Sequence, residues 1–281
     1  MIKPASLKLI DPQREIIDQN DNFAYVVPCK DLRQWVSNFT LSFPDETMIS
    51  DNYTVMPHGS VTLVYYHNDT GLHDRLFGPM TEPKVVGDIA NKCQFIFIVE
   101  FQPAGFYPFS ECQQSELVNG IYSFSSINPL IDTEIRQILA MEKSAEQVFS
   151  RVERLLLDNL GVTCPEVLTR AVALISQSQG RILLKAVVET LSYSDRQLNR
   201  FFNQYLGLSM KGFARVVRLN HSLRYLNDPR KTVATICDEL GYYDTAHYAK
   251  DFKLICGVTP LNYRQNLSDF YNEVAKFSSY T

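Results

Sequence analysis

The chain has 281 residues, which is long enough for two domains with separate hydrophobic cores. Its composition, 45% hydrophobic and 21% charged, is ordinary for a soluble globular protein. It holds no run of about 18 apolar residues, which excludes a transmembrane helix, and its first eight residues lack the apolar core of a signal peptide. We therefore expect a cytoplasmic protein with no membrane partner.

Charge is unevenly distributed around the net value of −4. Residues 1–164 carry 12 Lys and Arg against 21 Asp and Glu, whereas residues 165–281 carry 15 against 10. An acidic first part and a basic second part suit a sensing domain followed by a domain that faces phosphate. The six cysteines are scattered without a C-x-x-C pair, as expected for ordinary thiols in a reducing cytoplasm.

The first hundred residues are predicted to form mainly β-strands. Short segments rich in aromatic and β-branched residues are separated by turn residues such as those at 57–59 and 78–79. Many short strands at this spacing predict a sandwich or small barrel. The predicted strands are 23–27, 36–43, 53–56, 61–66 and 95–101.

One carboxylate in this region is a candidate ligand group. Glu100 shares a face of its predicted strand with two isoleucines, so it is either an edge residue that reaches water or a polar group inside a pocket. In the second case, the further candidates to line the pocket are Tyr65, Phe97 and Tyr107.

Metal or cofactor chemistry is not expected. A metal site needs several ligands that converge within about 2.0–2.2 Å of the ion. His58, His67 and His73 lie apart in the sequence without an H-x-H pair, and His58, just before Gly59 in a predicted hairpin turn, is expected at the surface. We therefore predict no metal, no cofactor and no enzymatic activity.

Helices follow the strands. Asp132 can cap one helix, and a capping box from Ser144 to Gln147 opens an amphipathic second helix. This pair either packs on its own domain or pairs across a two-fold axis, which would make a homodimer through residues 144–160. We place the domains at 1–161 (β-rich over 1–110, helical over 111–161) and 165–281.

The second domain is predicted to be helical throughout. A lead-in helix over 165–178 and a helix over 182–191 precede a capping box at Ser194 and Gln197 that opens a third. Gly207 ends that unit, and residues 210–226 form an amphipathic helix about 25 Å long at 1.5 Å per residue. A short helix then ends at Gly241, Asp244 caps the next, and that helix ends at Gly257. Two short helices joined by a tight turn make a helix-turn-helix.

The last of these segments resembles the second helix-turn-helix of the AraC/XylS family of transcription regulators. Cys237, Tyr242 and Lys250 stand where Ala, Phe and Arg are usual in that family, which leaves open the DNA sequence that this helix recognises. The matching positions are Ile236, Gly241, Tyr242, Asp244, Tyr248, Phe252, Lys253, Gly257, Pro260, Tyr263 and Arg264.

Two further segments carry weaker resemblances. Ser192 stands where the first helix-turn-helix of this family often has Gly, so we expect a tighter or less left-handed turn there. Residues 56–65, 78–81 and 101–105 resemble the cupin-like N-terminal domain of an AraC subset. The positions that resemble the first helix-turn-helix are Ala186, Ser194, Leu198, Arg200, Phe202 and Gly207.

Together these resemblances imply an α+β protein, with an N-terminal β-rich cupin-like barrel and appended helices. An all-α domain with two helix-turn-helix units joined by a long helix follows. The implied function is sequence-specific binding of double-stranded DNA, with two recognition helices in successive major grooves about 34 Å apart. A small-molecule effector in the first domain would gate it, and RNA polymerase would be a further partner. The alternatives are control by a protein partner, or a cupin-like enzyme with a helical appendage.

The resemblance also implies which side chains meet DNA. Arg200 could instead be paired within its helix, His247 could be merely exposed, and Arg264 could be structural. The expected base contacts are Arg196, Asn199, Arg200, Thr245, Ala246, His247 and Lys250. The expected phosphate contacts are Lys211, Arg215, Arg218, Lys253 and Arg264.

Overall fold

The computed structural model describes residues 2–44, 50–110, 112–267 and 270–271. Its strands are β1 (Ile16–Gln19), β2 (Phe23–Val26), β3 (Val36–Ser42), β4 (Thr54–Val55), β5 (Thr62–Asn68), β6 (Gly71–Phe77), β7 (Lys84–Val85), β8 (Phe95–Phe101), β9 (Ile121–Tyr122) and β10 (Phe270–Tyr271). Its helices are α1 (Gly87–Ala90), α2 (Tyr107–Ser110), α3 (Pro129–Met141), α4 (Ala145–Asp158), α5 (Glu166–Gln177), α6 (Leu184–Leu191), α7 (Asp195–Phe201), α8 (Met210–Leu226), α9 (Val233–Glu239), α10 (Thr245–Cys256) and α11 (Pro260–Gln265). A single π-helical turn (Phe202–Leu206) extends α7.

Seven strands form one antiparallel sheet in the order β1-β2-β3-β8-β5-β6-β9. A smaller sheet has the order β10-β4-β7, in which β10 joins β4 in parallel although it follows α11 in the sequence. All five predicted strand segments contain a strand, whereas β1, β6, β7, β9 and β10 were not predicted. The α+β class, with a β-rich first part and a helical second part, is confirmed.

The first core lies between one face of the large sheet and the helices α3 and α4. Phe39 and Phe97 stack with ring centroids 6.0 Å apart, and Phe149 of α4 packs 6.3 Å from Phe97. The apolar side of α4 is therefore used by its own domain, and the exposed positions of this helix are polar. Arg14 bonds both Glu146 and Glu153 and ties the N-terminal segment to the same helix. A homodimer through residues 144–160 stays a prediction, and it would have to use this polar side.

The helical domain has two apolar clusters that share α8, which we call the connector helix. Its first part packs with α5, α6 and α7 through residues such as Phe213 and Val217. Its second part packs with α9, α10 and α11 through residues such as Leu219 and Leu223. The connector helix is thus common to the cores of both helical units.

Residues 56–60, which we call the docking segment, lie between the two domains. Met56 belongs to the apolar cluster of the second helical unit, and the carbonyl oxygen of Pro57 accepts a hydrogen bond of 3.0 Å from Nδ2 of Asn220 on the connector helix. A Cβ on Gly59 would lie 3.0 Å from Leu208 and 3.2 Å from Val216. Backbone of the first domain is therefore packed directly on the connector helix.

Candidate nucleic-acid interface

The first helix-turn-helix is formed by α6 and α7. Helix α6 ends at Leu191, and Ser192 adopts a left-handed conformation with φ 57°. Ser194 then caps α7 by accepting a hydrogen bond from the backbone N–H of Gln197, whose side chain bonds back to the N–H of Ser194. The expectation of a less left-handed turn was wrong: the turn keeps the geometry that favours glycine, and serine bears the steric cost of its Cβ.

The outward side of α7 presents two of the three predicted base-contacting residues. Arg196 and Arg200 are exposed, and the guanidinium of Arg200 lies 5.4 Å from the ring centroid of its neighbour Phe201. Asn199 is engaged within the domain, because its Oδ1 accepts from the backbone N–H of Met210 at 3.0 Å and its Nδ2 donates to a carbonyl at 3.1 Å. The Asn199 side chain thus fixes the start of the connector helix.

The second helix-turn-helix is formed by α9 and α10. Gly241 makes the turn with φ 69°, and Oδ1 of Asp244 accepts from the backbone N–H of His247 at 2.6 Å. Tyr248 and Phe252 are buried. The four predicted base-contacting residues of this unit, Thr245, Ala246, His247 and Lys250, are all exposed on the opposite side.

Asp251 joins the connector helix to α10. Its carboxylate pairs with Arg215 of the connector helix and also accepts a hydrogen bond of 3.0 Å from the hydroxyl of Tyr242. Burial, together with the negative charge of Asp251, raises the pKa of Tyr242 well above its ordinary value, so this hydroxyl stays protonated and donates. The tyrosine at position 242, where phenylalanine is usual in the family, therefore has a structural partner.

The five predicted phosphate contacts divide into two groups. Lys211 and Lys253 are exposed. Arg215, by contrast, is paired with the carboxylate on α10, and Arg218 and Arg264 each donate to a backbone carbonyl, at 2.7 and 3.0 Å. These three arginines hold the domain together, which matches the structural alternative stated for Arg264.

Two exposed tyrosines were missed by the sequence analysis. Tyr193 and Tyr243 each stand immediately before the N-cap residue of a recognition helix, and Tyr243 is 93% exposed. Their common position relative to the caps was visible in the sequence and could have identified them. Both add an aromatic hydroxyl to the surface that carries the exposed arginines and lysines.

A second candidate site, which we call the sheet cavity, lies between the large and the small sheet. It has a volume of about 190 Å³ and is mainly apolar, and its lining includes Val64, Tyr66, Ile96 and Ile98. Glu100 lines it and is only 2% exposed, as expected for a polar group inside a pocket.

The other three predicted ligand residues do not line the sheet cavity. Tyr65 and Phe97 point to the opposite face of the sheet, because side chains alternate along a strand, and the hydroxyl of Tyr65 donates to Asp132 at 2.8 Å. Tyr107 packs against Tyr205 of the helical domain, with ring centroids 4.5 Å apart.

His58 was expected at the surface and is instead buried at the polar end of the sheet cavity. The docking segment that carries it is covered by the connector helix, a long-range contact that a local turn pattern cannot reveal. His58 lies 3.2 Å from both Ser60 and Thr62, and Thr62 donates to Oε2 of Glu100 at 2.7 Å.

No three His, Cys, Asp or Glu side chains within residues 2–44, 50–110, 112–267 and 270–271 converge as metal ligands would. Over the same ranges, no helix combines the length and the apolar character needed to cross a membrane.

Comparison with known proteins finds a family match in each part of the chain. Residues 187–266 match the family model of a helix-turn-helix domain, and residues 25–123 match a domain of unknown function, DUF6597. An uncharacterized HTH-type transcriptional regulator of Haemophilus influenzae is 30% identical over 36% of this chain and 34% of its own length. The arabinose operon regulatory protein of Escherichia coli is 25% identical over 33% of this chain and 32% of its own length. These matches thus span about a third of each relative.

Solved structures are similar over different shares of the chain. An AraC-type transcriptional regulator from Chromobacterium violaceum is 26% identical with a TM-score of 0.34, over 36% of this chain and 90% of its own. ToxT from Vibrio cholerae is 8% identical with a TM-score of 0.41, over 77% and 92%.

The curated relatives are described as regulators rather than enzymes, in agreement with the prediction that this chain is not an enzyme. The helix-turn-helix match covers, apart from Ala186, the residues on which the resemblance of the two helix-turn-helix units was based. The resemblance of the second domain to the AraC/XylS family of transcription regulators is therefore confirmed over residues 187–266.

Proposed function

We propose that the chain is a sequence-specific DNA-binding transcription regulator whose two recognition helices, α7 and α10, enter successive major grooves on one face of a duplex. The observation that carries this proposal is the pair of capped helices with exposed polar sides, held by one connector helix. The N-cap bonds at Ser194 and Asp244 fix where each recognition helix begins, and therefore which side chains its first turns present.

The connector helix sets the distance between the two recognition helices. Its 17 residues give a length of about 25 Å, which suits two helices held near the roughly 34 Å repeat of the major groove. The pairing of Arg215 with Asp251 fixes α10 on the connector helix, and the bond from Asn199 to the N–H of Met210 fixes α7. Each recognition helix is thus held to the connector helix by a side-chain contact.

The base-reading roles are part of the proposal. Arg196 and Arg200 suit guanine, whose major-groove edge offers two acceptors to a guanidinium. In the second unit, His247 and Lys250 supply donors, Thr245 a hydroxyl, and Ala246 an apolar contact for a thymine methyl. Asn199 is the weakest candidate because its amide is engaged. Lys211 and Lys253 are the phosphate contacts.

The test is a titration of labelled duplex DNA with the full chain, using fragments selected from native promoter DNA and followed by fluorescence anisotropy. Binding should weaken steeply with salt, because cationic side chains release counterions from the phosphates. The double variant Arg196→Ala/Arg200→Ala should lose sequence preference. Arg154→Ala, which removes an exposed arginine from α4, is the matched control and should bind as the wild type does. Absence of salt-sensitive binding to every selected fragment would refute the proposal.

Control by a small effector is the favoured form of regulation, with RNA polymerase as the partner at the promoter. The sheet cavity supports an effector over a protein partner, because a concave, mainly apolar space suits a small molecule. Stable co-purification of another protein with the first domain would favour the alternative.

A further inference from the structure

Tyr243 is the most exposed large hydrophobic side chain among the described residues. Its exposed fraction is 93%, and within the described ranges it makes no hydrogen bond and no ring contact. The neighbouring Tyr242 has the opposite character, because it is 7% exposed and its hydroxyl donates to Asp251. In hydrogen bonding and ring packing, the described part of the fold therefore uses Tyr242 and leaves Tyr243 unused.

Tyr193 occupies the matching place in the first helix-turn-helix. Each of the two tyrosines immediately precedes the N-cap residue of a recognition helix, Ser194 in one unit and Asp244 in the other. Tyr193 is 39% exposed, and its ring packs edge-on against Phe201 with centroids 6.3 Å apart. The same Phe201 ring carries the guanidinium of Arg200 at 5.4 Å. Tyr193 thus lies beside the exposed arginine to which a base contact is assigned.

The position just before a recognition helix lies near the wall of the groove. In a docked helix-turn-helix the first helix crosses the DNA backbone, and the second enters the major groove with its N-terminal residues at the base edges. The short turn between the two helices must therefore pass close to phosphates. Tyr193 and Tyr243 lie in these turns, after the left-handed residues Ser192 and Gly241.

A tyrosine hydroxyl suits a phosphate at this position. Phosphate oxygens of DNA accept hydrogen bonds from tyrosine side chains. In the second unit, the carboxylate of Asp244 already occupies the start of the recognition helix, where it accepts from the backbone N–H of His247 at 2.6 Å. That negative charge disfavours a phosphate held directly by the end of the helix, because like charges repel. The hydroxyl of Tyr243 is a neutral donor at the end of a long side chain, and it can meet a phosphate away from the carboxylate.

We propose that Tyr193 and Tyr243 are a pair of equivalent phosphate contacts, each of which donates its hydroxyl to one DNA phosphate beside the groove that its recognition helix enters. This inference rests on the proposed function and adds to it two neutral contacts that the charge distribution does not reveal. Because the two helices enter successive major grooves, the two phosphates should lie about one helical turn, roughly 10 base pairs, apart.

The two hydroxyls are tested on the full chain by anisotropy with the selected DNA. Tyr193→Phe and Tyr243→Phe should each weaken binding about tenfold, because each loses a hydrogen bond to a charged group. The same factor should be lost on single-base variants of the selected site, since a phosphate carries no base information. The melting temperature of Tyr243→Phe should equal that of the wild type, because this hydroxyl bonds nothing in the described chain. Tyr122→Phe, which removes a hydroxyl from β9 of the first domain, is the matched control and should bind DNA as the wild type does.

Salt dependence separates these neutral contacts from cationic ones. Lys253→Ala, which removes an exposed cation assigned to a phosphate, should reduce the slope of log affinity against log salt concentration by about 1. The two tyrosine variants should leave this slope unchanged, because a neutral donor releases no counterion. A reduced slope for Tyr243→Phe, or a change in its base preference, would overturn its assignment as a neutral phosphate contact.

A scan with uncharged methylphosphonate linkages, placed one at a time along the selected duplex, locates each contact. At one linkage Tyr243→Phe should cost little further affinity, and about 10 base pairs away the same should hold for Tyr193→Phe. If either variant binds the unmodified duplex as the wild type does, or if no linkage suppresses its effect, the inference fails while the proposed function stands. If the wild type shows no salt-sensitive binding to any fragment, the proposed function fails and the inference fails with it.

Discussion

A buried histidine on the connector helix should make the stability of the helical domain depend on pH. His221 is 5% exposed, and burial, with smaller contributions from the cations Arg224 and Arg181, lowers its pKa from 6.5 to about 4. The neutral imidazole is therefore the native form near neutral pH. In the unfolded chain the same group takes up a proton at its ordinary pKa.

The sign and size of the effect follow from linkage. Between about pH 6.5 and about pH 4 the unfolded state binds more protons than the folded state. The part of the unfolding free energy that depends on neutral His221 is therefore complete above pH 6.5 and is lost as the pH falls toward 4. A shift of about 2.5 pKa units corresponds to roughly 3 kcal/mol over the whole window. By about pH 5, some 2 kcal/mol of it should be gone.

Urea unfolding of the full chain, followed by circular dichroism at about pH 7.5 and about pH 5, measures this loss. His221→Gln keeps a polar side chain of similar size that does not titrate in this range. Between the two pH values the wild type should lose about 2 kcal/mol more unfolding free energy than the variant. Equal losses in the two proteins would show that His221 is not held neutral by its surroundings.

Three further substitutions test the helix-turn-helix units. Arg200→Ala should cost about 1–3 kcal/mol of DNA-binding free energy and relax base preference at one position; equal weakening on all sequences in competition titrations would instead make Arg200 a phosphate contact. Ser192→Gly should stabilise the protein by about 0.5–1 kcal/mol and so raise its melting temperature, because the left-handed turn penalises a Cβ. A melting temperature below that of the wild type would contradict the strain argument. Tyr242→Phe should lower the free energy of urea unfolding by about 1.5 kcal/mol through loss of the bond to Asp251, and no change would show that this bond contributes nothing.

Periodicity predicted much of the fold, because each element carries its own pattern. The alternation of Ile96, Ile98 and Glu100 correctly placed these side chains on one face of β8, opposite the aromatic core. The caps at Ser194 and Asp244 fixed the starts of both recognition helices. These features depend only on residues a few positions apart, which is why the sequence reveals them.

The features that escaped prediction depend on distant contacts. Whether Glu100 faces water or a cavity is decided by the small sheet, in which β4 and β7 are two residues long and pair across about thirty residues of sequence. Helical periodicity places Asn199 on the outward half of α7. Its amide oxygen nevertheless accepts a hydrogen bond from the backbone N–H of Met210 at the start of α8, eleven residues later. His58 sits in a segment with turn composition, yet it is buried in the sheet cavity, in a segment that hydrogen-bonds to the other domain.

The connector helix shows why neither domain can be interpreted alone. Val216 contributes to the core of the first helical unit and also contacts Gly59 of the first domain, while Leu219 packs in the second unit together with Met56. The buried side chains of this helix therefore pack, between them, against the first domain and both helical units. Since close-packed interiors transmit displacement, a change in any of the three should reach the other two through this one element. That is the physical basis on which a cavity in the β-rich domain could alter how two distant recognition helices meet DNA.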